Sequence, residues 1–313
     1  MKSLSTPVAL ILFNRPEHVK QVFATIAEAK PKVLFIIADG PRTPDEEGKC
    51  LVARSVIQSV NWPCEVLTNI ADRNLGCRKR IVSGLNWVFS LVEQAIILED
   101  DCVPHRSFYN YCETLLNHYR HNDHVMEVSG CNYHKRRVGN GSSYFFSRYY
   151  HTLGWATWRR AWASFDENIG AWAGLRQSPQ WNALFDNACE NEYWTAVYDQ
   201  IVAGGLQSSW DYQWQFARWC NNGLAAVPAV NLVSNIGFGP EATNTTLRHD
   251  FRARLPVYDI GPILHPSRIT RDEELDRYRF DRVELIKPSL LWKVGNKMKR
   301  IYERFTLQDS QPA

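Results

Sequence analysis

Short apolar runs alternate with segments of helical periodicity along the first 130 residues. The runs are rich in β-branched residues, which favours buried strands, and they cover residues 8–13, 33–38, 64–68, 95–98 and 125–129. Between them, apolar residues recur at helical spacing after Pro16, over about 45–60, over about 78–92 and over about 107–119. The alternation predicts an α/β fold with a mostly parallel central sheet, helices on both sides and right-handed crossovers.

The second half of the chain is richer in aromatic residues and less regular. Gly154 is predicted to open a short helix that carries Trp155, Trp158 and Trp162 at helical spacing. The other elements predicted here are a helix over 179–203, a helix entered at Trp210-Asp211, a strand over 224–230 and a Gly- and Thr-rich loop over 235–246. Because no linker or repeat separates the halves, we expect one domain over residues 1–285 with two parts, 1–130 and 131–250.

Composition and charge exclude several classes of protein. Hydrophobic residues make up 45% and charged residues 22% of the chain, which is typical of globular proteins, and the net charge of +3 does not indicate a nucleic-acid partner. The eight cysteines show no C-x-x-C spacing, which favours reduced thiols over a zinc or redox site. The apolar run at 8–13 is too short for a signal-peptide core or a membrane span, so we expect a cytoplasmic, non-integral protein.

Polar side chains follow the predicted strands at the points where the strands end. They are Asn14 and Arg15 after the first strand, Asp39 after the second, Asp72-Arg73-Asn74 after the third, and Glu99-Asp100-Asp101 at the end of the fourth. The carboxyl ends of parallel strands share one edge of a sheet, where ligands bind in open α/β folds. Neither G-x-G-x-x-G nor G-x-x-x-x-G-K-[ST] occurs, which disfavours dinucleotide binding and a phosphate-loop NTPase and leaves a single nucleotide as the better fit.

Two interpretations of Glu99-Asp100-Asp101 are open at this point. Mg²⁺ and Mn²⁺ prefer oxygen ligands and often use one or two carboxylates together with substrate phosphates, so the triplet is a candidate metal and diphosphate site. Alternatively, it is a solvated acidic turn that caps the following helix.

Three motifs resemble those of glycosyltransferases of the GT-A type, specifically the Golgi N-acetylglucosaminyltransferase I and bacterial family-two-like sugar transferases of polysaccharide synthesis. Glu99-Asp100-Asp101 is similar to their Asp-x-Asp motif, Leu153-Gly154-Trp155 to a Leu-Gly-Trp segment, and Trp210-Asp211-Tyr212-Gln213-Trp214 to a Trp-Asp-Asp-Trp segment in which Tyr212 replaces the second Asp. Their order and approximate spacing agree over about residues 5–240. The resemblance implies the nucleotide-diphospho-sugar transferase-like fold, with 1–130 as the nucleotide-sugar half and 131–250 as the acceptor half.

The resemblance also implies roles for individual residues. Asp101 is the implied ligand of Mn²⁺ or Mg²⁺, Asp100 contacts the ribose, and Glu99 faces the donor sugar or the base pocket. The other implied donor-binding residues are Asn14, Arg15 and Asp39 around the nucleobase and ribose, Arg78 near the diphosphate, and Trp155 as a stacking wall for a sugar. Each residue also has a structural alternative: turn and cap roles for the first three, a solvated basic turn for Arg78, and a core position for Trp155.

Asp211 is the predicted catalytic residue. An acceptor hydroxyl is a poor nucleophile when neutral, and a carboxylate within hydrogen-bond reach takes its proton. A base opposite the leaving group implies inversion at the anomeric carbon, so we expect an inverting transferase that moves a sugar from a nucleotide-diphosphate sugar, with a UDP-sugar favoured, to a glycan or lipid-linked glycan in bacterial surface polysaccharide synthesis. The structural alternative for Asp211 is an N-cap at the start of a helix.

The remaining expectations concern the later loops and the C-terminus. The loop 237–246 is a predicted lid, and His249 is a candidate further metal ligand. Residues 286–313 form a basic amphipathic tail, which suits peripheral contact with the inner face of the plasma membrane or packing on protein. The rival functions are a decayed transferase that only binds sugar or nucleotide, and a sugar-phosphate nucleotidyltransferase, for which a Gly-rich basic loop after the first strand is expected in place of Asn14-Arg15-Pro16.

Overall fold

Strands and helices alternate through the structure, a computed structural model that describes residues 3–134, 137–149, 151–238 and 252–284. The strands are β1 Val8–Leu12, β2 Val33–Ala38, β3 Glu65–Ile70, β4 Gln94–Glu99, β5 Cys102–Pro104, β6 Val125–Ser129, β7 Tyr144–Ser147, β8 Trp155–Trp158, β9 Leu224–Pro228 and β10 Val233–Asn235. The α-helices are α1 Pro16–Ala29, α2 Glu47–Arg54, α3 Cys77–Leu91, α4 Ser107–His118, α5 Arg159–Trp162, α6 Trp172–Leu175, α7 Pro179–Ala183, α8 Ala188–Val202, α9 Asp211–Cys220 and α10 Glu273–Arg279. Short 3₁₀ turns, Pro44–Glu46 and Ser55–Ser59, flank α2, and a π-helical turn, Phe280–Glu284, follows α10.

An eight-stranded sheet in the order β3-β2-β1-β4-β8-β6-β9-β7 forms the centre of the fold. Strands β1 to β4 are mutually parallel, β8 is antiparallel to both β4 and β6, β6 is parallel to β9, and β7 is antiparallel to β9. Only β7 and β8 therefore run against the other strands of this sheet, which confirms the predicted α/β fold with a mostly parallel sheet flanked by helices.

The central strands are buried on both faces, which is why their sequences are continuous apolar runs. In β1, Val8 and Leu10 point into one hydrophobic cluster with α1 and α4, whereas Ala9 and Ile11 point into another with α3, Trp210 and Trp214. The edge strand β3 alternates between exposed and half-buried residues. The two clusters fix the helices on either side of the sheet and so fix which loops meet at its carboxyl edge.

A two-stranded ribbon crosses the end of β4. Strand β5 follows the acidic triplet directly and pairs antiparallel with β10, which places Asn235 opposite Cys102. This pairing joins segments about 130 residues apart and brings residues 235–238 over the carboxyl edge of the sheet.

Several predicted boundaries of the second half are wrong. Residues Trp155 to Trp158 form strand β8, not the start of a helix, and α5 begins at Arg159. A spacing of three fits a helix, but a four-residue buried strand between two others is equally apolar, so spacing alone cannot separate the two. The predicted helix over 179–203 is two helices, α7 and α8, separated by residues 184–187.

The chain divides into two compact units, Met1–Asp272 and Glu273–Ala313. The first holds the whole sheet, and the second contributes α10 to the described residues. Among the described helices, none combines the length and apolar character that crossing a bilayer requires. The predicted tail at 286–313 lies outside the described residues, and the proposed division at residue 285 stays a prediction.

Candidate functional site

The candidate site lies at the carboxyl edge formed by β1, β2 and β4, where three helices also begin. Asn14 and Arg15 lie between β1 and α1, Asp39 follows β2, and Glu99 ends β4. Helix α3 begins nearby at Cys77 and α9 begins at Asp211, so partial positive charges of helix N-termini face this edge. The convergence expected for the strand ends is therefore present.

Arg15 binds two of the three acids. Its guanidinium donates one hydrogen bond to Asp100 Oδ1 and another, of 3.1 Å, to Asp101 Oδ2. Asp100 is 3% exposed, and its second oxygen accepts the Phe13 N–H at 3.3 Å. Burial disfavours the charged guanidinium, but Asp100 and Asp101 outweigh it and raise the pKa of Arg15. Burial raises the pKa of Asp100 to about 6 against the opposing attraction of Arg15.

The segment after β10 covers Asp101. The Ile236 N–H donates to the Asp101 carbonyl at 2.9 Å, and Asn235 Nδ2 donates to Asp101 Oδ1 at 3.4 Å. A Cβ on Gly237 would overlap Asp101 Oδ2 and lie 2.9 Å from Arg15 Nη1, so this position accommodates only a glycine without movement. Asp101 is thus held between Arg15 and residues 235–237.

Glu99 and Asp211 share an electrostatic environment with Cys77. Burial, followed by the charges of Asp101 and Asp100, raises the pKa of Glu99 to about 8, and Asp211 adds to this shift. Burial and the charges of Glu99, Asp211 and Asp101 raise the pKa of the Cys77 thiol to about 12. The charges of Asp211, at the start of α9, and of the acids at the end of β4 are therefore close enough to influence the same two groups.

Asp211 occupies the first position of α9, and Ser209 Oγ donates to its Oδ1. The N-cap position belongs to Trp210, whose side chain makes no cap hydrogen bond, so the N-cap interpretation of Asp211 is wrong by one residue. A carboxylate in the first turn is favoured by the helix dipole. Asp211 is half-buried, which leaves part of its side chain open to a ligand.

Asp39 organises the loop before α3. Its carboxylate accepts from Gly40 N–H and Leu75 N–H, both at 2.9 Å, from Asn74 Nδ2 at 3.0 Å and from Gly76 N–H at 3.2 Å. A carboxylate accepts about four hydrogen bonds, so these donors saturate it. A ligand hydroxyl would bind Asp39 only by replacing one of them.

Two more predicted donor-binding residues have protein partners. Asn14 Nδ2 donates to Glu46 Oε1 at 3.0 Å, and Glu46 is also paired with Arg42, whose hydrogen bonds lower the pKa of Glu46 to about 2. Arg78 at the start of α3 contacts Glu167 at 3.2 Å. A cleft of about 380 Å³ opens beside Asn14 and Arg15, between the start of α1 and α2, which is large enough for part of a nucleotide.

The aromatic residues singled out in the second half are in the core. Trp155 is 1% exposed and packs against Trp210 and Trp214, with ring centroids 5.6 Å apart in both pairs. Trp158 is 2% exposed and donates to the Leu116 carbonyl. A sugar would contact the Trp155 ring only if these neighbours moved, so its predicted role as a stacking wall stays a prediction.

The carboxylate oxygens at this edge are ligands that Mg²⁺ and Mn²⁺ prefer, but the described residues do not complete a coordination shell by themselves. Among the described residues, no group of three or more His, Cys, Asp or Glu side chains is arranged to hold a metal ion. Asp101 offers one partly exposed carboxylate, and no described residue donates a hydrogen bond to the Glu99 carboxyl. One or two carboxylates completed by substrate phosphates is a common arrangement for these ions, so the residues fit a cation that arrives with a diphosphate.

Sequence reasoning missed three features of this site: Asn235, the side chain of Cys77, and the β5–β10 ribbon. Asn235 and Gly237 lie in a loop that the sequence predicts, but their contact with Asp101 depends on pairing between two three-residue strands that are far apart in sequence. His249 and most of the predicted lid over 237–246 lie outside the described residues, so both stay predictions.

Comparisons with known proteins add little to this geometry. No protein-family model and no curated protein matches the chain. Among the solved structures that match is UDP-glucose pyrophosphorylase complexed with UDP-glucose, at 11% sequence identity and a TM-score of 0.25, with 45% of this chain and 62% of that chain covered. The match thus spans less than two thirds of that protein, and a likeness this weak carries no argument about activity.

Proposed function

We propose that this chain is a metal-dependent, inverting glycosyltransferase that uses a nucleotide-diphosphate sugar. The observation that supports the proposal is that Asp211, at the start of α9, and the acids at the end of β4 are close enough for their charges to act on the same groups, Glu99 and Cys77. These are the two sets of carboxylates that such a reaction needs on opposite sides of the donor sugar. The cleft beside Asn14 and Arg15 supports placement of the nucleoside at the same edge.

Asp101 is the proposed ligand of Mn²⁺ or Mg²⁺, with Glu99 close to it. When bound, the cation offsets the negative charge that develops on the departing diphosphate. Arg15 and Asn14 border the cleft and are proposed to contact the nucleotide, whereas Asp39 acts on the donor through the loop that it holds. Arg78 is proposed to reach the diphosphate by leaving Glu167.

Asp211 is the proposed general base. It accepts the proton of the acceptor hydroxyl while that oxygen forms a bond to the anomeric carbon. The bond from this carbon to the diphosphate oxygen breaks on the opposite face, so the configuration inverts and the nucleoside diphosphate leaves. The proposed substrates are a UDP-sugar and a glycan or lipid-linked glycan, with peripheral membrane contact through residues 286–313.

The test begins with a thermal-shift screen of UDP-, GDP-, CMP- and dTDP-sugars with and without Mn²⁺, because a ligand that binds the native state raises its stability. For the donor found in this screen, we then measure its slow hydrolysis by the protein and the transfer of its sugar to glycan acceptors. Formation of a nucleoside triphosphate from that donor and pyrophosphate would identify a nucleotidyltransferase in its place.

The role of Asp211 is tested by Asp211→Asn with Asp123→Asn as the matched control, since Asp123 has a 93% exposed side chain and precedes the amino end of β6. General-base catalysis contributes about 10²- to 10⁴-fold, so we expect transfer to fall by at least about 100-fold while donor affinity is retained. Near-normal turnover by Asp211→Asn would contradict the assignment.

A further inference from the structure

Arg15 occupies the position at which a cation would meet the acidic edge. Its two terminal nitrogens span Asp100 and Asp101, and the three side chains are 21%, 4% and 16% exposed. A guanidinium at this place compensates two carboxylates that are otherwise close together in a partly dry environment. The Arg15 guanidinium therefore supplies positive charge at the place where a divalent cation would bind.

Both oxygens of Asp101 have partners within the protein while Arg15 is bound. Its Oδ2 accepts from Arg15, and its Oδ1 accepts from Asn235 at 3.4 Å and lies 3.5 Å from Cys102 Sγ. Gly237 closes the space above Oδ2, since even a Cβ there would overlap the carboxylate. A cation that coordinates Oδ2 would share this space with a positively charged guanidinium, which the Coulomb repulsion between them opposes.

A nucleotide in the neighbouring cleft would offer Arg15 a second anionic partner. Arg15 lies at the rim of the cleft beside α1, and guanidinium groups bind phosphate oxygens in a bidentate manner. A nucleoside diphosphate at this edge would give the released guanidinium a new anionic partner, whereas a metal ion alone would not.

We propose that Arg15 is an internal counter-cation that a divalent metal must displace from Asp101, and that it thereby couples metal binding to nucleotide binding. This inference rests on the proposed function, because it concerns the same edge. The effect of Arg15 in this proposal is on the conditions under which the metal binds. Without a nucleotide the metal would compete with Arg15 for Asp101; with a nucleotide bound, the diphosphate would supply negative charge for both the metal and Arg15.

The test measures Mn²⁺ affinity directly, from the electron paramagnetic resonance signal of free Mn²⁺, on the full chain without any sugar donor. We compare the wild type with Arg15→Gln and with Arg42→Gln, a matched arginine on the same edge that pairs with Glu46. Removing the competing guanidinium is expected to tighten binding of Mn²⁺ alone by at least about tenfold in Arg15→Gln. Arg42→Gln is expected to bind as the wild type does.

A second variant is needed in case Arg15→Gln does not fold, because this change leaves the buried Asp100 without its cation. Arg15→Lys keeps the charge but cannot span both carboxylates, so we expect a smaller tightening, about threefold. Circular dichroism identifies which variants are folded, and the conclusion is drawn from those.

The outcomes separate this inference from the function on which it rests. Addition of UDP, or of the nucleotide found by screening, is expected to tighten Mn²⁺ binding strongly in the wild type and weakly in Arg15→Gln. If the wild type binds Mn²⁺ with nucleotide but the folded Arg15 variants bind Mn²⁺ alone no more tightly, the role of Arg15 is wrong and the proposed function stands. If no protein binds Mn²⁺ under either condition, both are wrong.

Discussion

Replacing Asp39 with Ala tests whether this carboxylate serves the loop or a ligand. The side chain is 5% exposed and holds Leu75 N–H, Gly76 N–H and the Asn74 amide just before α3. If its purpose is to organise this loop, its loss must reduce the stability of the protein even when no ligand is present.

The magnitude follows from the donors that lose their acceptor. Leu75 and Gly76 are half-buried, so water reaches their N–H groups in part after the change, and Asn74 keeps its hydrogen bond of 2.9 Å to the Gly40 carbonyl. At about 1 kcal/mol for each of the four lost hydrogen bonds, from Gly40 N–H, Leu75 N–H, Gly76 N–H and Asn74 Nδ2, we expect Asp39→Ala to lower the free energy of unfolding by about 4 kcal/mol. For a chain of this size, that corresponds to a Tm lower by about 6–12 °C. Asp39→Asn retains one acceptor oxygen and is expected to lose about half as much.

The assay is thermal and urea unfolding followed by tryptophan fluorescence, together with hydrogen exchange of the Leu75 and Gly76 amides. Asp45→Ala is the control, because Asp45 is exposed on the neighbouring loop and surface changes of this kind stay within about 0.5 kcal/mol. If Asp39→Ala unfolds at the same temperature as Asp45→Ala and only nucleotide binding is lost, Asp39 binds the ligand directly and the account of the loop is wrong.

Two further predictions concern titrating groups. Burial and the charges of Glu99, Asp211 and Asp101 raise the pKa of Cys77 to about 12, so at pH 8 iodoacetamide should modify Cys77 much more slowly than the exposed Cys189; equal rates, read by mass spectrometry, would contradict this. Burial and then His118 lower the pKa of His265, so the unfolded chain binds this proton more readily, and the stabilisation present above pH of about 6.5 is lost as the pH falls below it. The urea concentration at the unfolding midpoint should thus decrease as the pH is lowered from 7.5 to 5.5, and this decrease should be smaller in His265→Gln. An equal decrease in both proteins would refute the assignment.

Three strands of the parallel half, β1, β2 and β4, were predictable because they are buried on both faces. Strands β1, β2 and β4 are short apolar runs followed at once by polar residues, and each of these features has a local physical cause. The convergence of Arg15, Asp39 and the acidic triplet at one edge follows from parallel pairing alone.

The contacts within the site were not predictable in the same way. The aromatic spacing of Trp155 and Trp158 fits a helix as well as a buried strand, and only their pairing with β4 and β6 decides between them. The contact between Asn235 and Asp101 depends on the three-residue strands β5 and β10, which are too short to have a pattern of their own. The saturation of Asp39 depends on the path of the loop at Leu75 and Gly76, and the pattern showed only that a turn occurs there.

The central claim is that the carboxylates closing β4 hold a cation together with a nucleoside diphosphate. Isothermal titration of the donor found by screening, with and without Mn²⁺, tests it most directly on the wild type and on Asp101→Asn. The account predicts tight binding to the wild type only when Mn²⁺ is present, and loss of this metal dependence in Asp101→Asn. Equal binding with and without Mn²⁺, or unchanged metal-dependent binding by Asp101→Asn, would contradict it.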